Sequence, residues 1–151
     1  MSNNESFEEI LQKDGQLIYT NVGNSMAPLI RQNETVLVIK PVTGRLKKFD
    51  VPLYRRDNGQ YVLHRIIKVR DDDYVICGDN RYRMEKGITD RHIIGVLDQV
   101  LDKEGNNILK SKNYRMYKLL WCDLYPMRTA FLWLKALPKR ISRKLKSINK
   151  S

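Results

Sequence analysis

What most constrains this chain is the rhythm of its first hundred residues, a succession of short β-branched or aromatic runs, each closed by a turn signal. The runs are Gln16 to Thr20, Thr35 to Ile39, Val51 to Arg55, Tyr61 to Val69, Tyr74 to Cys77 and His92 to Leu101. Between them stand Gly23-Asn24, Gln32-Asn33, Thr43-Gly44, Asp57-Asn58-Gly59, Asp71-Asp72-Asp73, Gly78-Asp79-Asn80 and Glu104-Gly105-Asn106. Runs this short and this evenly punctuated predict a compact, mainly β, mostly antiparallel domain. Asp57-Asn58-Gly59, set between Val51-Pro-Leu-Tyr and Tyr61-Val-Leu-His, is the clearest hairpin signal.

The flanks read differently. Phe7, Ile10 and Leu11 stand at helical spacing with Gly15 just beyond, which predicts a short N-terminal helix over Glu5 to Lys13. After Asn113, Tyr117, Leu120, Leu124, Met127, Phe131 and Leu134 step by three and four, which predicts a helical tail that Pro126 and Pro138 break into pieces.

The charge divides along the same boundary. The chain of 151 residues carries 28 Lys and Arg against 17 Asp and Glu, a net +11. Residues 1–105 hold 16 of each sign, while residues 106–151 hold 12 basic residues and one acid, Asp123. The organisation expected is therefore a β-rich core over 1–105 and a basic amphipathic tail over 106–151. Such a tail suits an anionic membrane surface contacted through residues 116–151, at about 1 kcal/mol per basic residue near the lipid. The alternative is a helix whose apolar stripe packs on the core. Nucleic-acid binding is disfavoured, because the aromatics cluster on the apolar stretch rather than among the basic residues.

Cys77 and Cys122 rule out a disulfide scaffold and fit a reducing compartment, and with only His64 and His92 as imidazoles neither a metal site nor a cofactor is expected. The N-terminal stretch is polar and acidic, unlike a signal peptide or an anchor. Met116 to Leu137 is interrupted too often by charge and proline to span a bilayer.

Chemistry concentrates at Val22-Gly-Asn-Ser-Met-Ala-Pro. A Ser in a tight Gly-Asn turn between a strand and a Pro-stiffened loop can aim both its hydroxyl and its backbone N–H at one point, as a nucleophile with an oxyanion hole requires. A neutral hydroxyl also needs a base within hydrogen-bond reach. The candidate is His64. On one continuous strand it shares a face with Val62, Ile66 and Lys68, opposite Leu63, Arg65 and Ile67, and partial burial there favours the neutral imidazole. Lys68 lies four residues on, about 13 Å along an extended strand, too far to replace it. Met26 and Leu29 fit either a cleft lining or the core, while Cys77 and His92 read as strand residues without chemistry.

Six segments then resemble, in order and spacing, the successive boxes of signal peptidase I and the related S24/S26 serine peptidases. They are Gly23-Asn24-Ser25-Met26-Ala27-Pro28, Asn33 to Val38, Lys48-Phe49-Asp50-Val51, Val62 to Ile67, Gly78-Asp79-Asn80 and Ile93-Ile94-Gly95-Val96. The resemblance covers about residues 17–100 and implies a signal-peptidase-like β fold with Ser25 as nucleophile. Where common bacterial members carry Lys, this chain has His64 followed by Arg-Ile, which resembles the endoplasmic-reticulum and sporulation-type branch and implies a Ser-His pair.

By the same resemblance Asp79 either orients His64 or holds the local turn, with Glu85 and Asp90 ranked behind it. Gly23 replaces a hydroxyl residue that assists the oxyanion hole, which leaves backbone N–H groups to do so. The resemblance implies a serine endopeptidase cutting a peptide or leader segment after small residues. Without an N-terminal anchor it would act on the cytoplasmic side, with its tail able to hold it at the membrane periphery. The competing reading is a non-catalytic peptide-binding or scaffolding module on the same fold. An unshifted imidazole as base predicts activity lost as pH falls through about 6 to 7.

Overall fold

The computed structural model describes residues 5–20, 22–124, 127, 128, 130, 131, 133 and 134. The expected breaks at Pro126 and Pro138 and the basic stretch 138–151 lie outside the described residues.

The first helix, α1 (Phe7–Asp14), starts where the sequence supplies a capping box. The Ser6 hydroxyl accepts from the Glu9 N–H at 3.3 Å, and the Glu9 carboxylate accepts from the Ser6 N–H at 2.7 Å, so two otherwise orphaned donors are satisfied. Gly15 closes the helix, its N–H reaching the Leu11 carbonyl at 3.1 Å.

Eight strands follow among the described residues: β1 (Leu17–Thr20), β2 (Val36–Lys40), β3 (Pro52–Arg55), β4 (Tyr61–Leu63), β5 (Arg65–Val69), β6 (Tyr74–Cys77), β7 (Glu85–Ile88) and β8 (Ile93–Leu101). They form a five-stranded sheet in the order β1-β2-β8-β3-β4 and a three-stranded sheet in the order β5-β6-β7, and every pairing is antiparallel. The β3–β4 hairpin turns at Asp57-Asn58-Gly59 as expected, with Arg55 opposite Tyr61. The edge strands β1 and β4 approach each other through Phe7 of α1, whose ring lies 5.7 Å from that of Tyr19 and 4.7 Å from that of Tyr61.

The structure differs from the sequence reading at His92, which closes a 3-10 turn (Asp90–His92) ahead of β8 instead of opening the strand, and in two places that shape the site. The expected single strand from Tyr61 to Val69 breaks at His64, where the chain leaves the first sheet and enters the second. Strict face alternation therefore fails there. Val62, Leu63, Arg65 and Ile66 are all buried, since Leu63 joins the core beneath the first sheet while Val62 and Ile66 join that of the second. The second difference is β7, which the sequence does not announce: Glu-Lys-Gly-Ile lacks an apolar run because it is an edge strand with only Ile88 fully buried.

Beyond β8 the chain turns at Asp102 to Asn106 and folds back. A 3-10 turn (Ile108–Lys110) leads into α2 (Lys112–Tyr117) and then a π-helical turn (Lys118–Asp123). Ile108, Leu109, Tyr114 and Tyr117 pack on the first core, so the tail's inner face is joined to the β domain. Met26 and Leu29 both belong to that core, and Leu29 also lines a cleft beside Tyr114 and Tyr117, away from Ser25. His92 also takes a structural place, its Nδ1 accepting the Thr89 N–H at 3.0 Å.

Candidate active site

The turn bearing Ser25 owes its shape to Gly23, whose φ of +116° an L side chain rarely adopts. It is then held from outside by the Gly78-Asp79-Asn80 loop. The Asn80 N–H donates to the Ser25 carbonyl at 2.8 Å, and its side-chain amide donates to the Asn24 carbonyl at 3.1 Å. Arg81 adds a bond to the Asn24 side chain at 3.3 Å.

His64 arrives at the same loop from the other direction. A methyl placed on Gly78 would lie 2.7 Å from the Ser25 carbonyl oxygen and 3.0 Å from His64 Nε2. Only a residue without Cβ lets the serine turn and the imidazole close on this point. Both residues line one cleft of about 620 Å³, together with Thr20, Arg56, Tyr61 and Arg81.

The far side of the imidazole fixes its tautomer. His64 Nδ1 lies 3.4 Å from the Tyr54 hydroxyl, which donates its single proton to Glu85 Oε2 at 2.8 Å. Toward His64 the tyrosine oxygen can therefore only accept, which places the imidazole proton on Nδ1 and makes Nε2, the atom beside Gly78, the acceptor nitrogen. Arg56 locks the acid in place, its Nε reaching Glu85 Oε1 at 2.7 Å and its second nitrogen reaching Oε2.

Electrostatics reinforce this protonation state. Burial, then the Arg56 guanidinium, push the His64 imidazole down from 6.5 to about 4, against the opposing pull of Glu85. Burial and the bond to Glu85 push the Tyr54 phenol up, so it remains a donor. Glu85 itself would be raised by burial, but hydrogen bonds from Arg56 and Tyr54 outweigh that and hold it below the ordinary carboxylate value.

Asp79 does not orient His64. Its carboxylate accepts from Arg65 Nε at 2.8 Å and Nη2 at 2.7 Å and from the Tyr117 hydroxyl at 2.8 Å, while its carbonyl accepts from the Trp121 indole at 2.9 Å. Arg65 and Asp79 are both fully buried. Asp79 thus fastens its loop to β5 on one side and to the C-terminal helical segment on the other, and it touches the histidine only through its charge. The acid connected to His64 is instead Glu85, through the Tyr54 hydroxyl. Asp90 is occupied elsewhere, by the Tyr74 hydroxyl and by Arg45 at 3.0 Å.

Tyr54 was invisible in the sequence, where it is one more aromatic in a strand run. Asn80 had a signal, its place in the Gly-Asp-Asn segment, but no assigned role. Among the described residues no group of three His, Cys, Asp or Glu side chains could hold a metal ion. The chain matches no protein-family model and no curated protein.

Proposed function

We propose that this chain is a serine endopeptidase working through a Ser25-His64 dyad. The observation that carries the reading is the meeting at Gly78 of the Ser25 turn and His64 Nε2, with the imidazole neutral and its other nitrogen committed to Tyr54. In this reading Ser25 Oγ attacks the scissile carbonyl while His64 Nε2 takes its proton. The tetrahedral oxyanion is held by backbone N–H groups of the serine turn, and the imidazolium returns the proton to the leaving amine. Glu85, linked through Tyr54, stabilises the transient positive charge. The cleft runs beside the edge strands β1 and β4, whose backbone can pair with an extended peptide.

The test is cleavage of a peptide library rich in small residues by the wild-type chain and by Ser25→Ala and His64→Ala. Cleavage by the wild type and its loss in both variants is expected. Activity surviving both changes overturns the mechanism. Peptides retained by the wild-type chain but left uncut would make the cleft a binding module instead.

A further inference from the structure

The C-terminal helical segment has two unlike faces. Its inner face is committed to the core through Tyr117 and Trp121 on Asp79, and Arg128 is buried with them at 3% exposure. Its outer face is apolar and open: Met116 is 55%, Leu120 58%, Met127 68% and Phe131 57% exposed. A helix lying on a soluble core ordinarily turns charge outward, and a run of exposed large apolar side chains marks a contact surface.

The residues around that run specify the contact. Residues 106–151 carry 12 basic residues against one acid, and seven of the twelve fall in 135–151. Lys112 and Arg115 stand exposed on α2 beside Met116. A second copy of the chain would set this excess against itself, which opposes self-association. A nucleic acid backbone would match the charge but leave the leucine, methionine and phenylalanine side chains in water.

We propose that the outer face carrying Met116, Leu120, Met127 and Phe131 lies on the headgroup layer of an anionic lipid bilayer. Met116, Leu120, Met127 and Phe131 enter the boundary with the acyl chains while Lys112, Arg115 and the basic residues that follow in sequence meet lipid phosphates. Each basic residue near the surface raises the partition coefficient about fivefold, and salt screens this gain.

The test uses the full chain and sedimentation with vesicles of pure phosphatidylcholine or of an equimolar phosphatidylcholine–phosphatidylserine mixture. Trp121 is held inward on Asp79 while Trp133 is 44% exposed, so a shift in tryptophan emission on binding reports Trp133. Expected are binding to the mixed vesicles with a blue shift, weak binding to pure phosphatidylcholine, and release by salt. Leu120→Glu combined with Phe131→Glu alters only exposed positions, leaves the melting temperature unchanged and weakens partition about tenfold or more. Absence of binding to the mixed vesicles, equal binding to both compositions, or unchanged binding by the double variant overturns the proposal. Tighter binding to duplex DNA or RNA than to the mixed vesicles also overturns it. Ser25→Ala binds vesicles as the wild type does, so this proposal and the peptidase reading stand or fall separately.

Discussion

Arg65 and Asp79 meet in a two-pronged ion pair, 2.8 and 2.7 Å, with neither side chain reaching solvent. A buried pair of this kind contributes little net stability against an apolar replacement, but removing one partner strands the other charge. Asp79→Ala is expected to cost about 3–5 kcal/mol in urea denaturation. The double change Arg65→Met with Asp79→Leu is expected to recover only part of that loss, because the buried Arg128 guanidinium also lies 3.9 Å from the Asp79 carboxylate and loses that counter-charge. A cost for the single variant below about 1 kcal/mol would contradict the structural role given to this pair.

The acidity of His64 sets a second expectation. With the folded imidazole near 4 rather than 6.5, the base is already neutral throughout the range where a free histidine titrates. kcat/KM is expected to stay level between about pH 6 and 7 and to fall only as pH drops toward about 4, replacing the higher window that an unshifted imidazole implies. The same shift acts on stability. Between the two values the unfolded chain binds a proton that the folded chain refuses, so stability falls as pH is lowered from 6.5 toward 4, and this loss stops below 4. An inflection of kcat/KM near 6.5 would show that the imidazole is not held as described.

Tyr54→Phe removes the link between His64 and Glu85 while Arg56 still satisfies the carboxylate. Activity is expected to fall about tenfold or more, short of the 10²–10⁴ that acid–base catalysis as a whole supplies, with a stability loss of about 1 kcal/mol. Because the tautomer is no longer fixed, kcat should carry the loss rather than KM. Unchanged kcat would remove Tyr54 from the positioning of the base.

Gly78→Ala brings a methyl to 2.7 Å from the Ser25 carbonyl, a backbone atom that can move only with the whole serine turn. The expected cost is about 1–3 kcal/mol, accompanied by loss of cleavage in molecules that remain folded. Full activity in this variant would mean that the turn and the imidazole need not close on one another.

Periodicity and turn chemistry made most of the scaffold legible. Gly15 marked the end of α1, and Asp57-Asn58-Gly59 placed the β3–β4 hairpin. Ser25 and His64 stand out in the sequence through the order and spacing of the six segments that resemble those of the S24/S26 peptidases, since a Ser in a Gly-Asn turn and a His in an apolar strand are each common local patterns. Asp79 could not be assigned from the chain alone: its partners Arg65, Tyr117 and Trp121 come from a strand before it and a helical segment well after it, and no local spacing encodes such a pairing. The break at His64 was hidden for the opposite reason, since Leu63 and Ile66 are equally apolar and only the separation of two sheets tells their cores apart. The sequence of the C-terminal segment suits either packing or lipid contact, and in the structure its inner face is packed while its outer apolar side chains stand open.

His64 is the single residue between β4 and β5, and this bears on when the site comes into being during synthesis. The serine turn leaves the ribosome first, but the loop that grips it, the strand that carries Glu85 and the indole that seats on Asp79 follow only later, the last of them at residue 121. Neither sheet by itself supplies the imidazole with both its neighbours. The growing chain thus carries the Ser25 turn through most of translation without the surroundings that the folded protein gives it.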